Sequence, residues 1–113
     1  MHEFSLAMNI VDIVTEHAIR ENAAIVKEVE IDIGELSGVV LDALQFAMES
    51  ALKGTLAEGA AVQYNVLKGK ARCMGCNHTY NTKDRFTSCP KCGECKPEFI
   101  QGRELRVKSI LVE

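Results

Sequence analysis

Apolar residues recur at helical spacing in two segments of the chain. From Ser5 to Asn22 and from Val40 to Lys53 they stand three or four positions apart, so each set falls on one stripe of a helix. Gly54 supplies a C-terminal stop for the second segment. The stripes consist of Leu6, Ile10, Ile13, Val14 and Ala18 in the first segment and of Val40, Leu44, Ala47, Met48 and Ala51 in the second. The pattern predicts two amphipathic helices.

Three further segments alternate apolar and polar residues with a period of two, which is typical of half-buried strands. They are residues 26–33, the residues around Tyr64, and residues 105–112. In the first of them the acidic residues, including Asp32, are predicted to face solvent while the apolar residues between them face the core. Two helices can cover one face of such a sheet. We therefore predict an α+β fold with two helices on a three-stranded mixed sheet.

A different composition marks the segment between the last two predicted strands. Residues 69–102 contain all five cysteines and both prolines but few aliphatic side chains. We predict that this segment is a zinc-ribbon domain inserted between the last two strands of the sheet. The remaining residues, 1–68 and 103–113, then form the α/β domain.

The overall charge is mildly acidic and excludes some classes of partner. The 113 residues carry 13 Lys and Arg against 16 Asp and Glu, a net charge of −3 with neutral His. Nucleic acids and anionic membranes attract clustered basic residues, so neither is an expected partner. No apolar run approaches the roughly 20 residues of a membrane span, and the first residues lack a signal-peptide pattern. We expect a cytoplasmic protein, in which paired cysteines are more often metal ligands than disulfides.

Two C-x-x-C pairs lie within the predicted insertion. They are formed by Cys73, Cys76, Cys89 and Cys92. Each pair can offer two thiolates along adjacent tetrahedral directions, and four thiolates leave no position for water, so the pattern predicts a structural zinc site. Gly75 and Gly93 are expected to relax the backbone at the two pairs, and Tyr80 and Phe86 to supply a small core. Metal binding should provide most of the folding free energy, about 10 kcal/mol at comparable sites.

Two neighbouring side chains remain open as alternative ligands. Cys95 repeats the spacing of the second pair and could replace a neighbour, although a spare thiol beside the site is the simpler interpretation. His78 could also ligate, although an exposed loop histidine is the simpler interpretation. A dithiol oxidoreductase would place one pair at the start of a helix, where the dipole lowers the thiol pKa. Both pairs stand among turn residues instead.

The first residues offer a second kind of metal chemistry. If Met1 is the mature terminus, its amine, the deprotonated amide of His2 and the His2 imidazole can bind one ion in fused chelate rings. Three nitrogen donors in a plane suit the tetragonal preference of Ni(II) or Cu(II). The fourth position remains for another group, such as the Glu3 amide, a carboxylate or a ligand from a partner.

Together these features resemble the HypA/HybF family of nickel metallochaperones for [NiFe]-hydrogenase maturation. The resemblance covers the whole chain and rests on His2 and Glu3 at the terminus, on the strand ending Ile33-Gly34-Glu35-Leu36-Ser37, and on the cysteine quartet. It implies that His2 is the essential nickel ligand, with Glu3 as an auxiliary group. It also implies that the four cysteines hold zinc in a ribbon inserted into a nickel-binding α/β domain. Ni(II) would then be transported cargo and Zn(II) a structural ion.

The resemblance further implies a set of partners. These are a HypB-type GTPase and the [NiFe]-hydrogenase large subunit, with urease maturation proteins as further candidates because some relatives serve urease. The chain departs from the family at one position. Some members carry an aspartate near the start of the second helix as a further nickel ligand, and here that position is Val40, which cannot ligate. Asp42 lies about 200° further around the helix and is expected to be solvated, and His17 is expected to be structural.

Two other classes of protein remain as alternatives. A zinc-ribbon adaptor would bind protein or nucleic acid without a cargo metal, although the acidic charge and the 5% of aromatic residues disfavour base stacking. An enzyme would need a nucleophile–base pair, a phosphate loop or an open zinc site, and the sequence shows none of these. We therefore expect no catalytic residues. The chain is expected to be a monomer or a homodimer.

Overall fold

The structure of the protein is a computed structural model that describes residues 3–113, so Met1 and His2 lie outside the described residues. Two helices and six strands follow one another along these residues. Their bounds are α1 Glu3–Arg20, β1 Val26–Gly34, α2 Leu41–Leu52, β2 Ala61–Leu67, β3 Lys70–Cys73, β4 Thr79–Asn81, β5 Pro97–Gln101 and β6 Leu105–Val112. None of the described helices has the length and apolar character that a membrane span requires.

The strands β2, β1 and β6 form one three-stranded sheet with β1 at its centre. β6 runs antiparallel to β1. At one end the backbone groups of Ile25 and Glu113 exchange hydrogen bonds, and at the other the Gly34 N–H donates to the carbonyl of Glu104. Residue numbers therefore rise in opposite directions along the two strands, as in an antiparallel sheet.

β2 lies on the other side of β1 and runs parallel to it. The Val26 N–H donates to the carbonyl of Leu56, just before β2, and the Glu35 N–H donates to the carbonyl of Leu67, at its end. Residue numbers thus rise together along both strands, and α2 makes the crossover that parallel strands need. The predicted α+β class, with two helices and a mixed three-stranded sheet, is confirmed.

Each helix buries one stripe, but the stripe of α1 differs from the predicted one. Ala7 and Val11 are buried, whereas Ile13 is 48% exposed. The reason is helical geometry, because positions 7, 10, 11, 14 and 18 share one face, while 13 lies about 120° away. In α2 the other predicted residues are buried, but Val40 is 60% exposed because it precedes the helix, as an N-cap residue with an extended backbone.

The chain forms two compact units. The first comprises 3–32, Val39–Asn65 and Arg106–Glu113, and the second comprises Ile33–Gly38 and Val66–Leu105. Residues 33–38 thus pack in the second unit, with the cysteine-rich segment, although the sequence pattern groups them with the α/β domain. The assignment of a nickel-binding domain and a zinc-ribbon domain stays a prediction.

The second unit is built on a small antiparallel sheet in the order β4-β3-β5. Ala71 on the central strand pairs with Tyr80 on one side and with Phe99 on the other. Its core cluster consists of Ala71, Cys73, Tyr80 and Cys89, with Cys76 and Phe99 packed against it. Tyr80 is therefore a core residue as predicted, but the prediction for Phe86 is wrong. Phe86 is 88% exposed, and its backbone N–H donates to the carboxylate of Asp84. Phe99, which is partly buried, packs against the core cluster instead.

Three glycines allow close approach of backbone segments within the second unit. A Cβ on Gly34 would lie 1.9 Å from the Gly102 carbonyl oxygen, and a Cβ on Gly102 would lie 2.6 Å from Gly69 Cα. The Leu36 N–H donates to the Gly102 carbonyl at 2.6 Å. The Arg85 guanidinium in turn donates to the Leu36 carbonyl at 2.7 Å. A side chain at any of these glycines would therefore push apart segments that are joined by hydrogen bonds.

Asp32 is an exception to the alternation of β1. The alternating pattern predicts that it faces solvent, but only 4% of it is exposed. Neighbouring strands supply its partners: Asn65 Nδ2 donates to Oδ1 at 3.1 Å, and Arg106 Nε donates to Oδ2 at 3.0 Å. The Asn65 hydrogen bond, together with Arg106, lowers the pKa of this carboxyl below its ordinary value despite its burial.

Substitution of Asp32 tests this buried carboxylate. Asp32→Asn is expected to lower the free energy of unfolding by about 1–2 kcal/mol at neutral pH. The new amide NH2 group is a donor and cannot accept the hydrogen bond that Asn65 or Arg106 donates to the carboxylate. Since the folded-state pKa of Asp32 lies below its ordinary value of 3.8, the stabilisation is complete above that pH and is lost as the pH falls through the folded-state pKa. Urea denaturation across neutral and acidic pH measures the effect.

The control is Glu28→Gln, an exposed acid on the same strand, which should leave the unfolding free energy nearly unchanged. An Asp32→Asn deficit of the same size in strong acid and at neutral pH would contradict the role of the charge.

Candidate metal centre

Four cysteine side chains converge in the second unit. Cys73 ends β3, Cys76 follows in the next turn, and Cys89 and Cys92 lie in the loop between β4 and β5. Their Sγ atoms all lie within 4.8 Å of one another. Two of the separations are 3.5 Å between Cys73 and Cys92 and 3.6 Å between Cys76 and Cys89. All four are free thiols. Their convergence confirms that the segment between the pairs folds back as predicted.

These separations suit a tetrahedral zinc ion. A Zn–S distance of about 2.3 Å places tetrahedral sulfurs about 3.8 Å apart, and the observed distances bracket that value. Four sulfur donors select a soft or borderline metal and fill its coordination sphere. The donor set therefore fits structural zinc, which would stabilise the fold and leave no position for a reacting water.

The two C-x-x-C turns share one backbone hydrogen-bond pattern. In the first turn the Cys73 N–H donates to the His78 carbonyl at 2.8 Å, and the Asn77 N–H donates to the Cys73 carbonyl at 2.7 Å. The second turn repeats this pattern with Cys89 in place of Cys73. The Cys89 N–H donates to the carbonyl of Glu94, five residues ahead, at 2.8 Å, and the Gly93 N–H donates to the Cys89 carbonyl at 2.8 Å. We call these turns the first and second knuckles.

A residue with a left-handed backbone conformation (positive φ) follows the second cysteine of each knuckle. This residue is Asn77 in the first knuckle, with a φ of 64°, and Gly93 in the second, with a φ of 78°. Gly93 thus relaxes the backbone as predicted, but in the first knuckle that role belongs to Asn77, because asparagine tolerates the left-handed region better than most residues. Gly75 provides space instead, since a Cβ there would lie 2.3 Å from Glu94 Oε2.

The thiols differ in their affinity for protons. Burial raises the pKa of Cys89, but the backbone N–H groups of Cys92 and Lys91 favour its thiolate, and together with the neighbouring thiols they lower the pKa to about 7. For Cys92 the N–H of Glu94 acts in the same direction, but loss of solvation and the Cys73 thiol outweigh it and raise the pKa to about 12. Metal binding must therefore displace protons, and acid should weaken it.

The two alternative ligands lie beside the four-sulfur cluster. Cys95 is exposed and does not belong to the group of four converging thiols found among the described residues. The His78 ring stacks on Tyr80, with ring centroids 6.2 Å apart and an interplanar angle of 16°, and it also lies outside that group. This arrangement favours the simpler interpretation of Cys95, a spare thiol beside the site. His78 lies in a loop, as expected, but is half-buried rather than exposed.

The described part of the amino terminus lies beside the start of α2. Glu3 begins α1, and its Oε2 accepts a hydrogen bond from the Val40 N–H at 3.2 Å. Val40 is the position where the family resemblance places an aspartate. Asp42 is exposed on its helix, as expected, and His17 is also exposed. The predicted nickel donors of Met1 and His2 lie outside the described residues, so the structure leaves the terminal chelate a prediction.

Comparison with known proteins identifies the family. A family model described as hydrogenase/urease nickel incorporation, metallochaperone, HypA matches residues 1–112. The chain belongs to the HypA family. This is a family of metallochaperones and not of enzymes.

Relatives within the HypA family match along their whole length. The hydrogenase maturation factor HypA of Azotobacter chroococcum is 41% identical over 113 residues, which is all of both chains. The protein of the same name from Parabacteroides distasonis is 40% identical over all of this chain and 98% of its own. The solution structure of the Ni metallochaperone HypA from Helicobacter pylori aligns with a TM-score of 0.72 and 25% identity, over 99% of this chain and 97% of that one.

Two substitutions test the knuckle geometry. Gly93→Ala is expected to weaken zinc binding by about fivefold to thirtyfold, because alanine at a left-handed φ costs about 1–2 kcal/mol. Asn77→Gly should leave the affinity close to that of the wild type, because glycine adopts the same φ without strain. Competition with a chromophoric chelator measures both.

A matched control is available at Gly59, which has a φ of 81°. At Gly59, as at Gly93, an added Cβ would meet no other atom within 4 Å. Gly59→Ala therefore adds the same backbone strain to the first unit and should leave zinc affinity unchanged. A Gly93→Ala variant with wild-type affinity would show that the knuckle geometry does not limit metal binding.

Proposed function

We propose that this protein binds Ni(II) at its amino terminus and delivers it for [NiFe]-hydrogenase maturation, while its four cysteines hold a structural zinc ion. The observation that carries the proposal is the match of residues 1–112 to the nickel-incorporation family. The convergence of the cysteine quartet within 4.8 Å supports the second part. The maturation factors of Azotobacter chroococcum and Parabacteroides distasonis, which match over the whole chain, support the first.

The nickel site consists of nitrogen donors from the first two residues. The amine of Met1, the amide of His2 and the His2 imidazole bind Ni(II) in one plane, which suits its tetragonal preference. Glu3 is the auxiliary group, and the hydrogen bond that its carboxylate accepts from the Val40 N–H holds it at the start of both helices. Val40 offers only its backbone to this region, so the fourth nickel ligand comes from elsewhere.

A site with few ligands at a chain terminus suits a carrier, because cargo must leave as well as bind. A partner protein supplies donors to the open position, and Ni(II) transfers by stepwise replacement of the terminal nitrogens. The sulfur cluster has no open position and takes no part in this exchange. Its four ligands, Cys73, Cys76, Cys89 and Cys92, stabilise the second unit instead. Residues 1–68 and 103–113 are then the nickel-binding domain, and residues 69–102 are the zinc ribbon.

The partners are those that the maturation of a nickel enzyme requires. We propose a HypB-type GTPase that acts with this protein in nickel insertion, and the [NiFe]-hydrogenase large subunit as the recipient. Urease maturation proteins are further candidates, because the family description covers both hydrogenase and urease. We further propose that this protein acts in the cytoplasm.

Loss of the terminal imidazole tests the nickel site. Untagged wild-type protein is expected to bind one Ni(II) tightly enough for calorimetry. His2→Ala should lose most of this affinity, because it removes one of three chelating nitrogens, and an amino-terminal extension should also weaken it, because the free amine becomes an amide. His17→Ala, which alters an exposed histidine of α1, is the control. Normal nickel binding by His2→Ala would overturn the terminal site.

Metal analysis after dialysis against a chelator tests the zinc ligands. Wild-type protein and Cys95→Ser are each expected to retain one zinc ion per chain, because Cys95 lies outside the cluster. Cys92→Ser should retain much less, because three thiolates and a water form an open and weaker site. Equal zinc retention by Cys92→Ser and the wild type, or loss of zinc in Cys95→Ser, would refute this ligand set.

A further inference from the structure

The core of the second unit contains a buried hydroxyl group. Tyr80 lies on β4 opposite Ala71, and its ring packs with Cys73 and Cys89. The residue is only 8% exposed. Its Oη atom is buried and has no hydrogen-bond partner among the described residues. It is the one side-chain oxygen within this core cluster, whose other members are alanine, cysteine and phenylalanine.

An unpaired buried hydroxyl is costly, because it loses hydrogen bonds to water and gains none in the protein. Phenylalanine would fill the same space without this cost. The core cluster around Tyr80 combines cysteines with Ala71 and Phe99, and among the described residues no sulfur accepts a hydrogen bond from the hydroxyl. A neutral thiol is a weak acceptor. A thiolate is a much better acceptor, because a hydrogen bond to an ionised group is shorter and stronger.

The proposed metal centre would convert these sulfurs into thiolates. Four thiolates and one divalent ion together carry a net charge of −2 in a partly buried site. Metal centres of this kind rely on donors around the ligands. One such donor is the Lys91 N–H, which lies 3.4 Å from Cys89 Sγ. The Tyr80 hydroxyl adds a second donor, from a side chain.

We propose that the Tyr80 hydroxyl is an outer-sphere donor to the metal centre, with a hydrogen bond to the Sγ of Cys73 or Cys89 when these are metal-bound thiolates. Tyr80 is thus a positioning residue, because it acts on the ion through a ligand. The inference rests on the proposed zinc site and is independent of the terminal nickel site.

The protonation state of Tyr80 is consistent with this role. A tyrosine hydroxyl ordinarily keeps its proton at neutral pH and is available as a donor. The predicted role of Tyr80 in a small core explains why its ring is buried. It does not explain why the residue carries a hydroxyl group.

The test replaces only the hydroxyl. Tyr80→Phe is expected to bind zinc about tenfold to 100-fold more weakly than the wild type in competition with a chromophoric chelator, as for other outer-sphere partners. In Co(II)-substituted full-length protein, the sulfur-to-cobalt charge-transfer band should move to lower energy, because loss of a hydrogen bond leaves the thiolate more electron-rich. Tyr64→Phe is the matched control, since Tyr64 is the other tyrosine of the chain and lies on β2.

The outcomes separate an electronic role from a merely structural one. A Tyr80→Phe variant with wild-type affinity and an unshifted band would overturn the inference. Lower thermal stability with an unshifted band would also overturn it, because a packing defect does not change the electron density of a ligand. Wild-type protein without metal at the cysteine cluster would overturn both this inference and the zinc proposal. Loss of nickel binding would overturn the terminal site alone.

Discussion

Convergence of four sulfur atoms is the constraint on which the second unit depends. Its sheet has strands of only three to five residues, and half of the four buried side chains in its core cluster belong to cysteines. So little apolar surface cannot offset the conformational entropy of the 46 residues in this unit, 6 in 33–38 and 40 in 66–105. Coordination of one ion by Cys73, Cys76, Cys89 and Cys92 would supply the missing free energy. The knuckles and the neighbouring donors then serve to hold the sulfurs in place.

The first unit is stabilised in another way, by a conventional apolar core. Ile31, Leu44, Met48 and Val14 are fully buried between helices and strands, and their burial needs no metal. This separation matters for a metal carrier. A terminus that exchanges Ni(II) with a partner can do so while the unit behind it stays folded. In the proposed function the four cysteines, in turn, need not release their ion for cargo to move.

Much of this architecture was predictable because its determinants are local. Helical and alternating periodicities predicted both helices and the three long strands, and the cysteine spacing predicted the cluster, since a C-x-x-C turn orients its own thiols. The errors at Ile13 and Val40 are local, because they concern the face of a helix and the position where a helix begins. Other errors concern residues whose surroundings come from distant parts of the chain. Asp32 is buried because Asn65 and Arg106 reach it from neighbouring strands. The Glu3–Val40 hydrogen bond joins residues 37 positions apart, and no local pattern encodes it.

The equivalence of the two knuckles has a consequence for the recognition of such centres in other sequences. Both turns need a left-handed residue directly after their second cysteine, and one uses Asn77 where the other uses Gly93. A search that demands glycine at both places would overlook this chain. What is repeated is a backbone conformation, and more than one amino acid can encode it.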